Sequence, residues 1–325
     1  MTPIQFSSGD VIADRRADYA RMLQEAGDAP AAVDLLEQAL ERAPLWAAGW
    51  FLLGEYCEKA ADTHPEMRGK AIAAFERVAR LDETGIFGAE LKLAVLGAGP
   101  MPETPPTAYV EGLFDDYADR FETALMEKLN YSVPEKLFAM VASHAPFDLT
   151  VDLGCGTGLF GAQVAHCSRR LEGYDLSANM LAKAQEKGIY AVLGQADLAD
   201  PSATLQILSA ERGAERADLV SAADVLMYLG NLDVTFALAA ELLKPQGLFA
   251  FSIEDARENA QSESAESFVL QPSLRYAHSK SYVLDLLANA GFDLLDFLET
   301  DIRMDAGRNV QGILFLARKR KTAAG

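Results

Sequence analysis

Three closely spaced glycines follow a short apolar run in the middle of the chain. Residues 150–161 read TVDLGCGTGLFG and include Gly154, Gly156 and Gly158. Glycine lets a backbone turn sharply and approach a ligand, because no Cβ stands in the way. A helix predicted from Leu159 would point its free N–H groups at whatever lies over the glycines. The spacing therefore predicts a loop that cradles a ligand.

An acidic residue ends the next apolar run. Asp175 follows Tyr174 at the end of the second predicted strand. A carboxylate at this place is positioned to accept hydrogen bonds from two ribose hydroxyls. The glycines and this acid together predict an adenosine-containing cofactor in an open α/β sheet.

Two classes of cofactor are compatible with the glycines. Gly156, Gly158 and Gly161 satisfy G-x-G-x-x-G, the dinucleotide-binding pattern. Asp152, two residues before the first glycine, favours the other class, because a carboxylate there repels a pyrophosphate. It suits a cofactor that lacks phosphates and carries a cationic amino-acid tail. With Asp152 included, the loop resembles motif I of the class I S-adenosylmethionine-dependent methyltransferases.

The resemblance extends along the chain. The chain as a whole resembles predicted bacterial methyltransferases with N-terminal tetratricopeptide repeats. The resemblance lies in the order of three parts: SSGDVIADRRADYA, a helical region and then YVEGLFDDYADRF. The resemblance implies S-adenosylmethionine as cofactor and S-adenosylhomocysteine as product. The cofactor-binding residues that it implies are Asp152, Gly154, Cys155, Gly156, Gly158, Asp175 (ribose), Leu176, Ala196, Asp197 (adenine) and Asp224. Asp200 lies close to Asp197, and either residue could instead cap a helix.

Candidate acceptor-binding residues follow the fourth predicted strand, in SAADVLMYLGNLD. Residues just past the carboxyl ends of parallel strands face the ligand, which selects Asp224, Leu226 and Tyr228. Methyltransferases that act on the amino groups of nucleic-acid bases often carry Asn/Asp-Pro-Pro-Tyr/Phe here. The absence of Pro-Pro disfavours that activity.

Two further candidates precede the last predicted helix. Arg275 would suit a carboxylate or phosphate on the acceptor, although an ion pair with Glu254 is an equally good interpretation. His278 is a candidate base or substrate contact, and a structural role is its alternative. Together with Tyr228, these residues form the predicted catalytic set. No cluster of metal ligands is visible.

Strands and helices alternate from residue 150 onward. Predicted strands cover 150–153, 171–174, 190–193, 218–222 and 248–252, and a helix is predicted over 159–168. The last two strands, 294–300 and 311–317, have no helix between them and predict a hairpin. The fold class is therefore α/β, with a seven-stranded, mostly parallel Rossmann-like sheet and a C-terminal antiparallel hairpin.

The N-terminal part reads as an all-α domain. Ala32-x3-Leu36-x2-Ala39-x4-Pro44 is followed by a similar stretch that begins at Ala71, and Trp50-x2-Leu53-Gly54 precedes the latter. These spacings resemble tetratricopeptide repeats, with extra residues near 62–67 and a cysteine where tyrosine is usual. A short helix over 88–96 is expected to cap the array.

A proline-rich segment separates the two regions, so we predict a helical repeat domain over 1–99, a linker over 100–107 and a methyltransferase domain over 108–325. The helix predicted after the linker is amphipathic. It is either a packing helix or a lid, with Tyr109, Tyr117 and Phe121 on the closing side.

Composition excludes several partners. The chain has 325 residues and a formal net charge of −19, which repels phosphate backbones and anionic membrane surfaces. No apolar run is long enough to span a membrane, and no secretory signal is visible. Three scattered cysteines fit a reducing, cytoplasmic location.

The sequence therefore predicts a cytoplasmic methyltransferase that acts on a small-molecule or protein acceptor by in-line displacement. The alternative is a cofactor-binding scaffold or sensor without significant turnover. The repeats are either a groove for a protein partner or a docking or dimerisation appendage without a ligand.

Overall fold

The structure is a computed structural model that describes residues 7–118, 131–208, 213–256, 267–305 and 307–321. Contacts divide the chain into two units, Met1–Gly112 and Leu113–Gly325. The described part of the first unit contains α1 (Val11–Glu25), α2 (Ala29–Arg42), α3 (Ala47–Ala60), α4 (Met67–Leu81) and α5 (Ala89–Val95). The next helix along the chain is α6 (Thr107–Tyr117).

Small residues let the helices of the first unit pack closely. α1 packs on α2 and α3 packs on α4. A Cβ at Gly54 would lie only 2.5 Å from Cε1 of Phe75, so glycine is needed where α3 meets α4. The predicted helical region and its long loop before Met67 are confirmed, whereas the tetratricopeptide identity of the pairs stays a prediction.

The second unit is built on one sheet. Its strands are β1 (Phe147–Leu153), β2 (Ser168–Asp175), β3 (Val192–Gln195), β4 (Ala217–Ala222), β5 (Leu243–Asp255), β6 (Phe268–Leu270), β7 (Tyr276–His278), β8 (Phe292–Asp305) and β9 (Arg308–Lys319). Its further helices are α7 (Val133–Val141), α8 (Leu159–Val164), α9 (Ala178–Glu186), α10 (Pro201–Ile207), α11 (Asp233–Leu242) and α12 (Lys280–Asn289).

The sheet is mostly parallel. β3, β2, β1, β4 and β5 are neighbours in that order, and all four pairs are parallel. β9 runs antiparallel between β5 and β8, which confirms the predicted C-terminal hairpin. The described residues form nine strands, so the prediction of seven strands is wrong. The additional hairpin, β6–β7, joins the end of β5 through parallel pairing of β5 with β7.

Alternating side chains of the central strands fill two cores, one on each face of the sheet. On β5, Phe249, Phe251 and Ile253 join one core, while Leu248 and Ala250 join the other. Burial on both faces is typical of a parallel sheet covered by helices on each side.

Helix ends mostly follow their local signals. Ser177 caps α9 by accepting a hydrogen bond from the N–H of Met180, and Gly188 has a φ of 64° just after the helix. α8 is shorter than the predicted helix, which extended to residue 168. A 3-10 turn at Ala165–Cys167 ends it, because β2 already begins at Ser168.

Candidate cofactor and acceptor site

The glycine-rich loop follows β1 and requires glycine at alternate positions. Gly154, Gly156 and Gly158 have φ values of 66°, 53° and 88°, in the left-handed region that other residues rarely adopt. A Cβ at Gly154 would also lie 2.3 Å from Cγ2 of Val225. The loop therefore packs tightly against the segment that follows β4.

Gly161 has a packing role. A Cβ at this position would lie 2.1 Å from the hydroxyl oxygen of Tyr190. The last glycine of the G-x-G-x-x-G pattern thus makes room for a tyrosine. Close packing is also the task of this glycine in dinucleotide-binding proteins, so the contact does not distinguish the two classes of cofactor. Tyr190 was missed in the sequence because nothing in its local pattern links it to a loop thirty residues earlier.

Asp152 lies at the end of β1 and is 1% exposed. Its carboxylate accepts hydrogen bonds from the Tyr190 hydroxyl at 2.8 Å and from the Ser221 hydroxyl at 2.7 Å. Burial raises the pKa of Asp152 to about 6, and the charge of Asp175 acts in the same direction. A cation bound beside this carboxylate would relieve both effects.

Asp175 links β2 to the glycine-rich loop. Its Oδ2 accepts the N–H of Gly156 at 2.8 Å, and its Oδ1 accepts the N–H of Ser177 at 2.9 Å. Burial raises the pKa of Asp175 to about 6, and Asp115 contributes to the increase. Each carboxylate oxygen has a second lone pair, so the side chain can still accept hydrogen bonds from a ligand.

The other predicted cofactor residues surround these two acids. Cys155 and Ala196 are buried, and Leu176 is partly exposed. Asp197 accepts the N–H of Ala199 at 2.9 Å. Asp200 accepts both the N–H and the hydroxyl of Ser202, at 2.8 and 2.6 Å, beside the start of α10. Asp200 therefore caps the helix, which leaves Asp197 as the candidate for adenine.

Helix α6 contacts two sides of the crevice through neighbouring residues. Asp115 accepts the Ser177 hydroxyl at 2.6 Å and the N–H of Asn179 at 3.3 Å. The ring of Phe114 meets the ring of Tyr228 edge to face, with centroids 4.8 Å apart. Phe114 and Asp115, at the end of α6, therefore lie over the end of β2 and the segment after β4.

Of the three aromatic residues predicted on the closing side of the lid, the structure describes the side chain of Tyr109 alone. The ring of Tyr109 lies 2.8 Å from a Cβ built at Gly88, within the first unit. The side chain of Tyr117 and all of Phe121 lie outside the described residues.

A network of opposite charges occupies the ends of β4, β5 and β8. Arg303 binds Asp224 with an N–O distance of 2.6 Å and also binds Glu254. Arg275 binds the same Glu254 oxygen at 2.7 Å and reaches Asp305 as well. Arg303 and Glu254 are 6% and 1% exposed. Both guanidinium groups are therefore held by carboxylates of the protein.

The predicted roles of Arg275 and Asp224 change accordingly. Arg275 is engaged by Glu254 and Asp305, which favours its ion-pair interpretation over a contact with an acceptor carboxylate or phosphate. The Asp224 carboxylate binds Arg303, although the sequence grouped this residue with the cofactor contacts. Asp224 has a φ of 57°, which is rare for a residue with a side chain and often marks a functional site.

Tyr228 lies in a 3-10 turn, Leu226–Tyr228, beside this network. Burial raises the pKa of its hydroxyl to about 12, while Arg303 and Arg275 act to lower it. Tyr131, which the sequence analysis missed, also has a pKa raised well above its ordinary value by burial and by the nearby Asp224. Both hydroxyls therefore stay protonated at neutral pH.

His278 is held by a backbone carbonyl of the segment that follows Tyr228. It is fully buried on β7, and the N–H at its Nε2 donates to the carbonyl of Gly230 at 3.0 Å. Burial lowers its pKa to about 4, so the ring is neutral at physiological pH. This placement favours the structural alternative for His278, and its role as a base stays a prediction.

Within the described ranges, no group of three or more histidine, cysteine, aspartate or glutamate side chains is placed to hold a metal ion. No described helix is long and apolar enough to cross a membrane.

The arrangement defines a class of protein before any comparison is made. Buried acids and left-handed glycines lie at the carboxyl ends of parallel strands, and the charged neighbours that raise the pKa values of Asp152 and Asp175 are other acids. Such a site disfavours a pyrophosphate and suits an adenosine cofactor that carries positive charge. This is the type of site predicted for an S-adenosylmethionine-dependent enzyme.

Comparison with known proteins agrees with this class. Residues 151–249, from β1 into β5, match the family model described as a methyltransferase domain. The chain therefore carries a methyltransferase domain and is an enzyme of the S-adenosylmethionine-dependent class, with S-adenosylmethionine as its cofactor. The non-catalytic alternative is not supported. No curated protein matches the sequence.

Several solved structures are similar to part of this chain at low identity. N-methyltransferase NodS from Bradyrhizobium japonicum WM9, in complex with S-adenosyl-L-homocysteine, is 18% identical over 58% of this chain and 86% of its own, with a TM-score of 0.44. A methyltransferase from Clostridium acetobutylicum is 17% identical over 64% and 100%, with a TM-score of 0.47. One from Mesorhizobium loti is 22% identical over 57% and 96%, with a TM-score of 0.43.

Proposed function

We propose that the protein transfers a methyl group from S-adenosylmethionine to an acceptor that binds beside Tyr228. One observation carries the proposal. The glycine-rich loop, Asp175 and Asp224 all lie at the carboxyl ends of neighbouring strands, where open α/β sheets bind their ligands. The donor and the acceptor can therefore meet over the end of β1 and β4.

The residues present fit the cofactor. We assign Asp175 to the ribose, Leu176 and Asp197 to the adenine, and Asp152 to the cationic amino-acid part. The hydroxyl of Thr157, in the glycine-rich loop, is buried and lacks a hydrogen-bond partner among the described residues. A ligand atom at the loop could satisfy this hydroxyl. When bound, the cofactor supplies an electrophilic methyl group on a sulfonium.

The protein then has three tasks: to align the acceptor with that methyl group, to exclude water and to accept a proton where the acceptor carries one. Phe114 and Asp115 of α6 cover the crevice and serve the exclusion of water. Tyr228 forms a wall of the acceptor side, and Arg303 fixes Asp224 in place.

Calorimetry tests the cofactor assignment. We expect S-adenosylhomocysteine to bind and NAD not to bind. Replacing Asp175 by Asn should weaken S-adenosylhomocysteine binding roughly 10- to 100-fold, since a charged hydrogen-bond acceptor is lost. The matched control is Asp293→Asn, because Asp293 is exposed on β8 and pairs only with Arg320 in the described part. Binding of NAD without S-adenosylhomocysteine would contradict the proposal.

We also propose that the helices of the first unit bind a protein partner, in a cytoplasmic enzyme whose three cysteines are free. Tyr19 and Met22 are 61% and 62% exposed on α1 and supply apolar contacts there. The full-length protein and its Tyr19→Asp variant can be compared by cross-linking in a cell extract. A cross-linked partner that is retained equally by the variant would remove α1 from the proposed surface.

A further inference from the structure

The charge network at the acceptor side leaves carboxylate oxygens unused. Both guanidinium groups, of Arg303 and Arg275, bind Oε1 of Glu254. Its other oxygen, Oε2, is buried and has no hydrogen-bond partner in the part of the chain that the structure describes. A buried carboxylate oxygen without a partner carries a substantial free-energy cost. A ligand that donates a hydrogen bond would remove this cost.

Asp224 offers a second oxygen that accepts no hydrogen bond from the described residues, and this one is not fully buried. Its Oδ1 accepts from Arg303, and its N–H donates to the Ser252 hydroxyl at 2.8 Å. The described residues donate no hydrogen bond to its Oδ2. The left-handed backbone at Asp224 is held by these contacts, so the orientation of the carboxylate is set before a ligand arrives.

The charges of the network do not cancel. Asp224, Glu254 and Asp305 contribute three negative charges, and Arg275 and Arg303 contribute two positive charges. The cluster therefore retains one negative charge, and its guanidinium groups are already occupied. An anionic acceptor would meet carboxylates here, whereas a cation would neutralise the cluster.

Aromatic rings border the same cluster. Tyr228 lies in the 3-10 turn that packs on β5, the strand of Glu254, and its ring meets the ring of Phe114 edge to face. The face of a tyrosine ring attracts a cation. An acidic pocket with such a wall is a favourable place for an ammonium group.

We propose that the methyl acceptor is an amine whose nitrogen donates hydrogen bonds to Oδ2 of Asp224 and Oε2 of Glu254 and lies beside the ring of Tyr228. The proposal rests on the function proposed above. An alkylammonium group has enough N–H donors for both oxygens and the charge that the cluster lacks, whereas a hydroxyl has one donor and no charge.

Asp224 can also accept the proton that the ammonium group must lose before methylation. The bound ammonium first gives one proton to Oδ2 of Asp224, which leaves a neutral amine and a carboxylic acid. The nitrogen lone pair then forms a bond to the methyl carbon, and the electron pair of the carbon–sulfur bond stays on sulfur, which gives S-adenosylhomocysteine. The product is an N-methylammonium, and the proton on Asp224 passes to solvent. Burial raises the pKa of Asp224, which makes it a better base than an exposed aspartate.

Labelling identifies the class of acceptor directly. The full-length protein is incubated with S-adenosylmethionine that carries a deuterated methyl group, together with the small-molecule and peptide fractions of a bacterial extract. Mass spectrometry then locates the label. Label on nitrogen supports the proposal, and label only on oxygen, sulfur or carbon overturns it. Absence of any labelled product, with S-adenosylhomocysteine binding confirmed by calorimetry, overturns the enzymatic function and this inference with it. Absence of binding overturns the cofactor assignment first.

Two variants test the residues with the labelled amine. Glu254→Gln should raise the KM for the amine roughly 10- to 100-fold and leave S-adenosylhomocysteine affinity within about twofold. Glu299→Gln is the matched control, because Glu299 is a surface carboxylate that pairs with Lys280.

Tyr228→Phe keeps the ring and all charges of the network. We expect its KM for the amine to stay within about fivefold of the parent value, since a phenylalanine face also attracts cations. Tyr228→Leu should raise that KM further, and Tyr19→Phe on α1 is the surface control. Equal KM values for Tyr228→Leu and the parent protein, or for Glu254→Gln and Glu299→Gln, would refute the pocket.

Discussion

Replacing Asp152 by Asn should make the cofactor-free protein more stable at neutral pH. Burial raises the pKa of Asp152 from its ordinary 3.8 to about 6 in the folded protein. The unfolded chain therefore loses this proton at lower pH than the folded chain does, and the free energy of unfolding falls as pH rises from about 4 to 6. Above pH 6, the raised pKa lowers the free energy of unfolding by about 3 kcal/mol compared with an aspartate of ordinary pKa.

Asparagine suits the same surroundings without the charge. Its carbonyl oxygen can accept from one of the hydroxyls of Tyr190 and Ser221, and its amide can donate to the other, because a hydroxyl can serve as donor or acceptor. The assay is urea-induced unfolding of the cofactor-free parent and variant from pH 5 to 7.5. Over this interval the parent should lose about 1.5 kcal/mol relative to Asp152→Asn. Asp175 titrates in both proteins, so its contribution largely cancels.

The variant should gain stability and lose affinity together. If Asp152 serves the cationic part of the cofactor, calorimetry should show S-adenosylmethionine binding weakened roughly 10- to 100-fold. Asp293→Asn, on the surface, should change the free energy of unfolding by at most about 0.5 kcal/mol. Parallel pH dependence of the parent and Asp152→Asn would refute the argument from burial, and unchanged affinity would assign Asp152 a purely structural role.

Three other substitutions test the packing around the site. Gly161→Ala places a methyl group against the Tyr190 hydroxyl and should lower the free energy of unfolding by about 1 to 3 kcal/mol. Its control is Gly69→Ala, on an open face of α4, which should raise the free energy of unfolding by up to about 1 kcal/mol. Thermal unfolding compares the two variants, and equal effects would contradict the close contact at Gly161. Arg303→Met leaves the carboxylates of Asp224 and Glu254 without this cation, and the free energy of unfolding measured in urea should fall by about 3 to 5 kcal/mol. A decrease below about 1 kcal/mol would contradict this role of Arg303. Asp115→Ala removes a cap at α9 and should weaken S-adenosylhomocysteine binding about fivefold in calorimetry, and unchanged affinity would exclude α6 from the cofactor site.

Local signals predicted most of the fold. The glycines of the loop, the cap at Ser177 and the alternation of strands and helices each depend on a few neighbouring residues, so the sequence contained them. The hairpin β6–β7 escaped prediction because its strands have three residues each. Strands this short form only through their pairing with the end of β5, which no local pattern announces.

The acceptor side was only partly predicted, for a related reason. Asp224 and Tyr228 were identified from the rule that ligands bind past the carboxyl ends of strands. Their partner Arg303 is 79 residues away from Asp224 along the chain, in a strand whose predicted bounds stopped before it. Charge pairing across such distances depends on the register of the C-terminal hairpin, and composition and spacing do not reveal register.

The position of β9 has a consequence for how the enzyme is made. This strand, Arg308–Lys319, is among the last described residues, yet it lies between β5 and β8 in the interior of the sheet. Until β9 pairs with it, this edge of β5 exposes unpaired backbone groups. Arg303, which holds Asp224 and Glu254, is carried by the strand that β9 anchors. The acceptor side is therefore complete only after the C-terminal hairpin has paired with β5, so it forms late in folding.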